Sequence, residues 1–417
     1  MFQITRAALG LNEFDLQVEF RDLTIDLNAF TMWSPSDPKP YRLEQGVCIF
    51  CNTNSEYHHV KLLVNNCTFK NNYASNIAVQ NYCDITITNC KSINCFKGIC
   101  TVVGDGNNIY IDNCLCKSDY DFTAFWYEPN DYVLLKNSVV NITNCTFLGQ
   151  LQGITSRYGT FNIANTYIES TYIYFVSKIY TNCTIESTKM VIIGENPIKV
   201  RGYGYVSMNN CTITSKYDEN SSSYLGLGIS LKQSTSKDFY TTLNINNCIF
   251  ENLKRGVTID SSSGKFKIFI NNSIFKNITE AAFGPTPPNQ GASFEYFCIS
   301  NCTFDITGYL YYHNGGSEQT CSPIFNGGND IINPSNLGLY FTKFHKPIFK
   351  NEIWSVPVPV TVYGTGNIGK IIGLGKRTTY IETPPTFTAL NDIDYAKLTV
   401  SPYTEYRYSG NAWNEIT

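Results

Sequence analysis

The residues best suited to chemistry lie between Lys117 and Asp131, where Asp119, Asp121, Glu128 and Asp131 are interleaved with Trp126, Tyr127 and other aromatics. Carboxylates accept hydrogen bonds from sugar hydroxyls, and flat rings offer a sugar an apolar platform. The segment therefore has the composition of a carbohydrate site carried on a loop insertion. The other reading is a surface loop whose aromatics pack on the neighbouring structure. Tyr172 and Tyr174, like Tyr203 and Tyr205, alternate with one small or apolar residue. At strand spacing such tyrosines share a face, as a solvent-facing glycan-binding stripe or as a surface packed against another subunit.

Other chemistries find less support. Cys48 and Cys51 form a lone CxxC with neither a second CxxC nor a His pair at zinc-finger spacing, so no metal and no cofactor are expected. His58 and His59 beside Tyr57 read as surface histidines. No GxxxxGK(S/T) loop and no nucleophile elbow occurs, and no GxGxxG is read as following a strand.

The elements that must position these residues are set by a recurring phrase, seen best in Val140-Asn141-Ile142-Thr143-Asn144-Cys145-Thr146-Phe147. Alternating apolar residues end in Asn, then Cys, then Thr and an apolar residue. Copies centre on Cys67, Cys90, Cys114, Cys145, Cys183, Cys211, Cys248 and Cys302, and Ser273 and Thr166 fill the same slot elsewhere. The alternation is that of a strand with one buried face, and Asn tolerates the left-handed backbone of a tight bend. A second mark about nine residues on, at Asn76-Ile77, Gly98-Ile99, Gly153-Ile154 and Gly256-Val257, reads as another turn opening another strand. A period of roughly 20 to 30 residues is that of a stacked repeat. Two strands and two turns per period describe a parallel β-helix with Asn ladders at its bends and the cysteines in one interior stack.

The Asn-Cys phrase resembles the coils of right-handed, pectin-lyase-like parallel β-helix proteins over roughly residues 15 to 350. The resemblance implies an all-β, single-stranded right-handed solenoid, with residues 1–14 as an N-terminal cap and 351–417 as a small C-terminal β module. The closing Tyr406-Arg407-Tyr408-Ser409-Gly410-Asn411-Ala412-Trp413-Asn414 is similar to the ends of bacteriophage tail-fibre and appendage proteins. Together these imply a tail spike or receptor-binding fibre on the virion surface, a homotrimer that recognises host surface polysaccharide and contacts other appendage proteins. The alternatives are a polysaccharide hydrolase or lyase of the same fold and a purely structural decoration. Pectinase-type Asp-Asp and His-Gly motifs are missing, so the catalytic nominees are Asp119, Asp121 and Glu128, near Arg157. The carbohydrate-binding nominees are Trp126, Tyr127, Tyr172, Tyr174, Tyr203 and Tyr205.

Bulk properties narrow the partners. A net charge of -3 with interspersed signs gives no basic footprint for nucleic acid and no polybasic membrane patch, and no apolar run reaches the length of a membrane span. The chain has 16 cysteines; most occupy the strand-facing slot of the repeat, which predicts buried reduced thiols formed in a reducing cytosol. The Asn-x-Ser/Thr triplets are by-products of the turn phrase. No secretory leader is read at the N-terminus, and attachment to a virion is expected through the first coils or the C-terminal module.

Overall fold

The computed structural model describes residues 2–5, 16–27, 48–53, 59–72, 75–95, 98–102, 104, 106–127, 138–156, 159–171, 173–176, 181–201, 204–232, 240–260, 265–285, 293–312, 323–332, 338–340, 348–350, 353–354, 361–363, 377–386 and 394–416. All regular elements among them are strands. The chain divides into two units, Met1–Val206 and Ser207–Thr417, and each is a parallel β-solenoid.

In the first unit a coil carries three strands, one more than the sequence rhythm predicts. The first face holds the longest regular alternation, as in Val60–Asn65, Cys83–Thr88, Asn108–Asp112, Val139–Thr143, Gly159–Ala164 and Thr181–Glu186. Strict in-register pairing aligns Leu62, Ile85, Ile109, Val140, Phe161 and Cys183 in one interior column, all of them essentially inaccessible to water. Burying such side chains contributes about 2 kcal/mol each, and a slip of one residue would turn the whole column to solvent.

After the Asn bend come the short strands of the second face, such as Thr68–Lys70 and Lys91–Ile93. A further bend leads to the third face, Ile49–Asn52, Ile77–Val79 and Cys100–Val102. Where the second bend opens out, both faces merge into one long strand, Leu115–Tyr127 or Thr146–Ser156. Phe2–Thr5 pairs in parallel with Ile49–Asn52, so this part of the expected cap is already a strand of the solenoid.

The bend between the first two faces explains the Asn-Cys phrase. Asn66, Asn89, Asn113, Asn144 and Asn165 all have positive φ, between 49° and 56°, the left-handed region that Asn tolerates best among residues with a side chain. Each donates its backbone N–H to a carbonyl of the next coil at 3.0–3.1 Å, Asn89 to Asp112 and Asn113 to Thr143 for example. The side chains form the expected ladder, with Asn113 Nδ2 donating to Asn89 Oδ1 at 2.7 Å and Asn89 Nδ2 to Asn65 Oδ1 at 3.0 Å.

The following slot must satisfy a buried backbone N–H. Cys67 N–H donates to Cys90 Sγ and Cys90 N–H to Cys114 Sγ, both at 3.4 Å, while each thiol donates to the carbonyl two residues before it, as Cys114 does to Asp112 at 3.2 Å. A small side chain that both accepts and donates is required there. Thr166 and Thr188, Ser273 and Asn329 accept the same N–H in other coils. Cys183 departs from the expected stack. Its coil turns at Ser187, with φ 47°, and uses Thr188 in the slot, whereas Cys183 pairs with Phe161 in mid-strand. The Asn182-Cys183-Thr184 triplet copies the phrase without being the turn. All 15 cysteines among the described residues are free and buried.

The second unit repeats the plan with Tyr240–Asn246, Lys265–Asn271 and Ser293–Ser300 on its first face. Its second face fills the interior with phenylalanines: Phe250 stacks on Phe275 at 4.7 Å between centroids, and Phe275 on Phe304 at 5.1 Å. Gly256 lies inside the strand Ile249–Ile259, and Gly153 inside Thr146–Ser156, so neither opens a strand as their spacing suggests. A Cβ at Gly256 would sit 2.6 Å from the Ala282 carbonyl oxygen. Close approach of the next coil, not a turn, is what selects glycine at position 256. Gly98 does take a positive φ of 59° just before Cys100–Val102, as expected.

Parallel pairing passes the expected boundary at residue 350. Gly338–Tyr340 pairs with Thr361–Tyr363, and Arg377–Ile381 with Asp394–Leu398. The antiparallel C-terminal module is smaller than expected, consisting of Asp394–Leu398, Glu405–Ser409 and Ala412–Ile416. The polar stretch 216–223 is an excursion, closed by the short antiparallel pair Tyr217–Asp218 and Ser223–Tyr224.

Candidate functional site

The stretch from Lys117 to Tyr127 is strand, not loop. Its pairing with Thr146–Ser156 is in register up to Lys117, breaks between Lys117 and Phe122, and shifts again before Thr123. Asp119 and Asp121 fall within that break, so their backbone is released from regular pairing at a bend of the coil. Beyond it, register aligns Trp126 with Thr101 and Thr155, and Thr155 in turn with Tyr174 and Lys199. Two of the nominated aromatics, Trp126 and Tyr174, thus share one column of the third face with a single coil between them. Tyr127 aligns with Val102. The side chains of Asp119, Asp121, Trp126, Tyr127 and Tyr174, and the whole of Glu128, Arg157, Tyr172 and Tyr203, lie outside the described residues.

Tyr205 is exposed, at 42%, on the strand Gly204–Asn209. That strand belongs to the sheet of first-face strands, whereas Ile173–Val176 belongs to the other sheet. Tyr174 and Tyr205 therefore do not form one stripe. Alternation fixes which residues share a face within a strand, but the bend between two strands decides which face that is.

The first face of the second unit carries a cluster that sequence reasoning missed. Tyr240–Asn246 and Lys265–Asn271 alternate half-exposed and buried residues throughout, which turns Tyr240, Lys265, Lys267 and Phe269 outward. The ammonium groups of Lys267 and Lys265 stand 4.3 and 5.3 Å from the Tyr240 ring centroid, in cation–π range. Phe269 packs on Tyr296 at 5.1 Å, and Tyr296 is 39% exposed. The available signal was the alternation Lys265-Phe266-Lys267-Ile268-Phe269, with basic and aromatic residues on the outward phase.

Two further polar groupings occur. Arg255 is buried on the third face, paired through Nη2 with Glu280 Oε1 and lying 5.6 Å from the Tyr312 centroid. Lys254 Nζ is 3.9 Å from the other Glu280 oxygen. A buried guanidinium tied this way fastens neighbouring coils together. In the first unit His59 Nδ1 and Asp84 Oδ1 are 3.0 Å apart, and Asn108 Nδ2 donates to the same oxygen at 2.7 Å, so His59 is fastened to the coil rather than isolated on the surface.

Burial pushes the Cys48 and Cys51 thiols up to about 12, away from the thiolate form that binds metal or attacks a substrate. No group of three or more His, Cys, Asp or Glu suited to a metal ion occurs among the described residues, and none of their elements is a helix long and apolar enough to cross a membrane.

The fold defines a parallel β-solenoid protein with a small antiparallel C-terminal module. No family model, curated protein or solved structure matches the chain.

Proposed function

We propose that the protein is a bacteriophage surface appendage, a tail spike or receptor-binding fibre that recognises polysaccharide on the host cell. The observation that carries this reading is the outward face of Tyr240, Lys265, Lys267, Phe269 and Tyr296, which offers rings and hydrogen-bond donors on a scaffold whose register holds them in place. Pre-positioned aromatics and donors lower the ordering cost of binding. The Trp126 and Tyr174 column supports the same chemistry in the first unit. The protein works at the virion surface as a homotrimer joined to other appendage proteins, and its C-terminal strands, where Tyr408 packs on Trp413 at 5.2 Å, contribute to assembly.

A polysaccharide hydrolase or lyase is the second reading, favoured by the break in pairing around Asp119 and Asp121, because bulged strands often re-aim side chains at active sites. Incubation with host surface polysaccharide, followed by assays for retention and for new reducing ends or unsaturated uronate, separates the readings. Retention without cleavage is expected. Cleavage that is lost in Asp119→Ala, Asp121→Ala or Glu128→Ala makes the protein an enzymatic spike. Neither retention nor cleavage across a broad glycan panel leaves the structural role.

A further inference from the structure

One interior column of the first unit is a line of thiols on four successive coils. The residues after Cys67, Cys90, Cys114 and Cys145 pair in register, Thr68 with Lys91, Lys91 with Leu115 and Leu115 with Thr146. All four thiols are free, and each residue is no more than 2% exposed. Neighbouring coils lie about 4.8 Å apart, within the separation of roughly 4.4 to 6.8 Å between Cα atoms that a disulfide needs. In-register side chains leave the backbone in the same direction, so neighbouring thiols run side by side and do not diverge. Cys67 N–H already reaches Cys90 Sγ, and Cys90 N–H reaches Cys114 Sγ, at 3.4 Å. Other interior cysteines have no such neighbours: Cys51 aligns with Ile4 and Val79, Cys100 with Ile77 and Phe125, and Cys116 with Ser92 and Phe147.

We propose that this column is an oxidative cross-linking site, in which a peroxide joins Cys67 to Cys90 and Cys114 to Cys145 and so staples coil to coil. A thiol bonds one neighbour only, so four in line close at most two bridges, and this pairing leaves none over. In each bridge one sulfur attacks the peroxide and the O–O bond breaks. The departing hydroxide takes the thiol proton as water and leaves a sulfenic acid. The neighbouring thiol then attacks that sulfur, the S–S bond forms, the S–O bond breaks and a second water leaves, so two thiols are oxidised for each peroxide reduced. The oxidant enters from the N-terminal end. Leu16–Arg21 pairs with Val60–Asn65 at the edge of its sheet, and its Leu16, Val18 and Phe20 are half-exposed, whereas Val60, Leu62 and Val64 on the next coil are sealed. Cys67 Sγ lies 3.6 Å from the Phe20 carbonyl oxygen, so opening of that edge strand uncovers Cys67 first. Parallel side chains must tilt together to close the bond, and the resulting strain makes it readily reducible. The column is thereby a reversible lock on the solenoid, independent of what its outward faces bind.

The reduced full chain, in native buffer and separately in urea, is treated with limiting hydrogen peroxide, quenched with catalase, alkylated under denaturing conditions and mapped by tandem mass spectrometry. Linked peptides joining Cys67 to Cys90 and Cys114 to Cys145 are expected in native buffer, the Cys67–Cys90 bridge forming first. The bridged chain is expected to melt several degrees above the reduced one, and added dithiothreitol to restore the original melt. Cys67→Ser is expected to redirect Cys90 to Cys114. The double variant Cys67→Ser, Cys114→Ser keeps a hydroxyl in each slot, as Ser273 does, and is expected to form no bridge in the column and to show no rise in its melt. Column thiols left unbridged after native treatment, a Cys90–Cys114 bridge in the parent, or bridges to cysteines outside the column overturn the proposal. So does formation of the bridges only in urea, or a rise in the melt that persists in the double variant.

Discussion

At the scale of single residues, the cysteine slot shows how a sequence rhythm turns into hydrogen bonding. The Cys90 N–H reaches Cys114 Sγ in the next coil, and a buried N–H left without a partner costs about 2 kcal/mol. Cys114→Ala is therefore expected to destabilise the fold by roughly that amount, whereas Cys114→Ser, which keeps an acceptor and a donor as Ser273 does at Cys248, is expected to cost much less. Urea denaturation of both variants checks this, and equal losses would contradict the slot. Burial also makes stability depend on alkali. Because the folded-state pKa of Cys48 and Cys51 is about 12 against 9.0 when exposed, their contribution is intact below pH 9 and is lost as pH rises toward 12, where the unfolded chain releases protons that the fold retains. The slope is about 1 kcal/mol per pH unit for each thiol. Urea midpoints at pH 7.5 and 10.5 are expected to fall, and to fall less in Cys48→Ala, Cys51→Ala; an identical pH dependence in that variant would contradict the assignment.

At the scale of elements, most of the first-face strands and their Asn bends were legible, because a side-chain period of two and a left-handed Asn leave clear marks in a sequence. The third strand of each coil was hidden. The second bend at Asn71 is followed by Asn72 and not by Cys, and the one at Asn94, also with positive φ, is followed by Cys95 but ends a strand of only three residues, Lys91–Ile93, too short to show an alternation; where the two faces merge, as in Leu115–Tyr127, there is no punctuation at all. Cys183 shows the opposite failure, a phrase present without the turn. Of the nominated site, the sequence pointed to Trp126 and Tyr174, which register does bring into one column, but it had no means of separating Tyr205, because the face of a strand depends on the preceding bend. The outward Lys265, Lys267 and Tyr240 were overlooked because outward residues of a strand look like ordinary solubilising ones until their neighbours on adjacent coils are known. Gly256 gives the element scale its test. Replacing a strand glycine by alanine ordinarily gains a few tenths of a kcal/mol or more through chain entropy. Here the Ala282 carbonyl stands in the way, so Gly256→Ala is expected to lose about 2 kcal/mol. A thermal melt at or above that of the parent would show that the coils do not approach so closely there.

At the scale of the whole molecule, a solenoid buries its interior coil by coil and leaves its outward faces free to be spent on recognition. The proposed appendage is a trimer, and light-scattering mass of the full chain is expected to be three times 47.0 kDa, falling to one chain's mass in a version ending at Thr399 that lacks the strands Glu405–Ser409 and Ala412–Ile416. A monomeric full chain would refute the assembly. Recognition of sugar by an outward face remains the central claim, and it is tested most directly by retention of the full chain on polysaccharide extracted from the surface of host cells, beside the variant Tyr240→Ala, Tyr296→Ala. Specific retention of the parent and at least a tenfold loss in the variant, with an unchanged circular dichroism spectrum, is the result predicted. Equal retention of both proteins, or retention of neither, would contradict it.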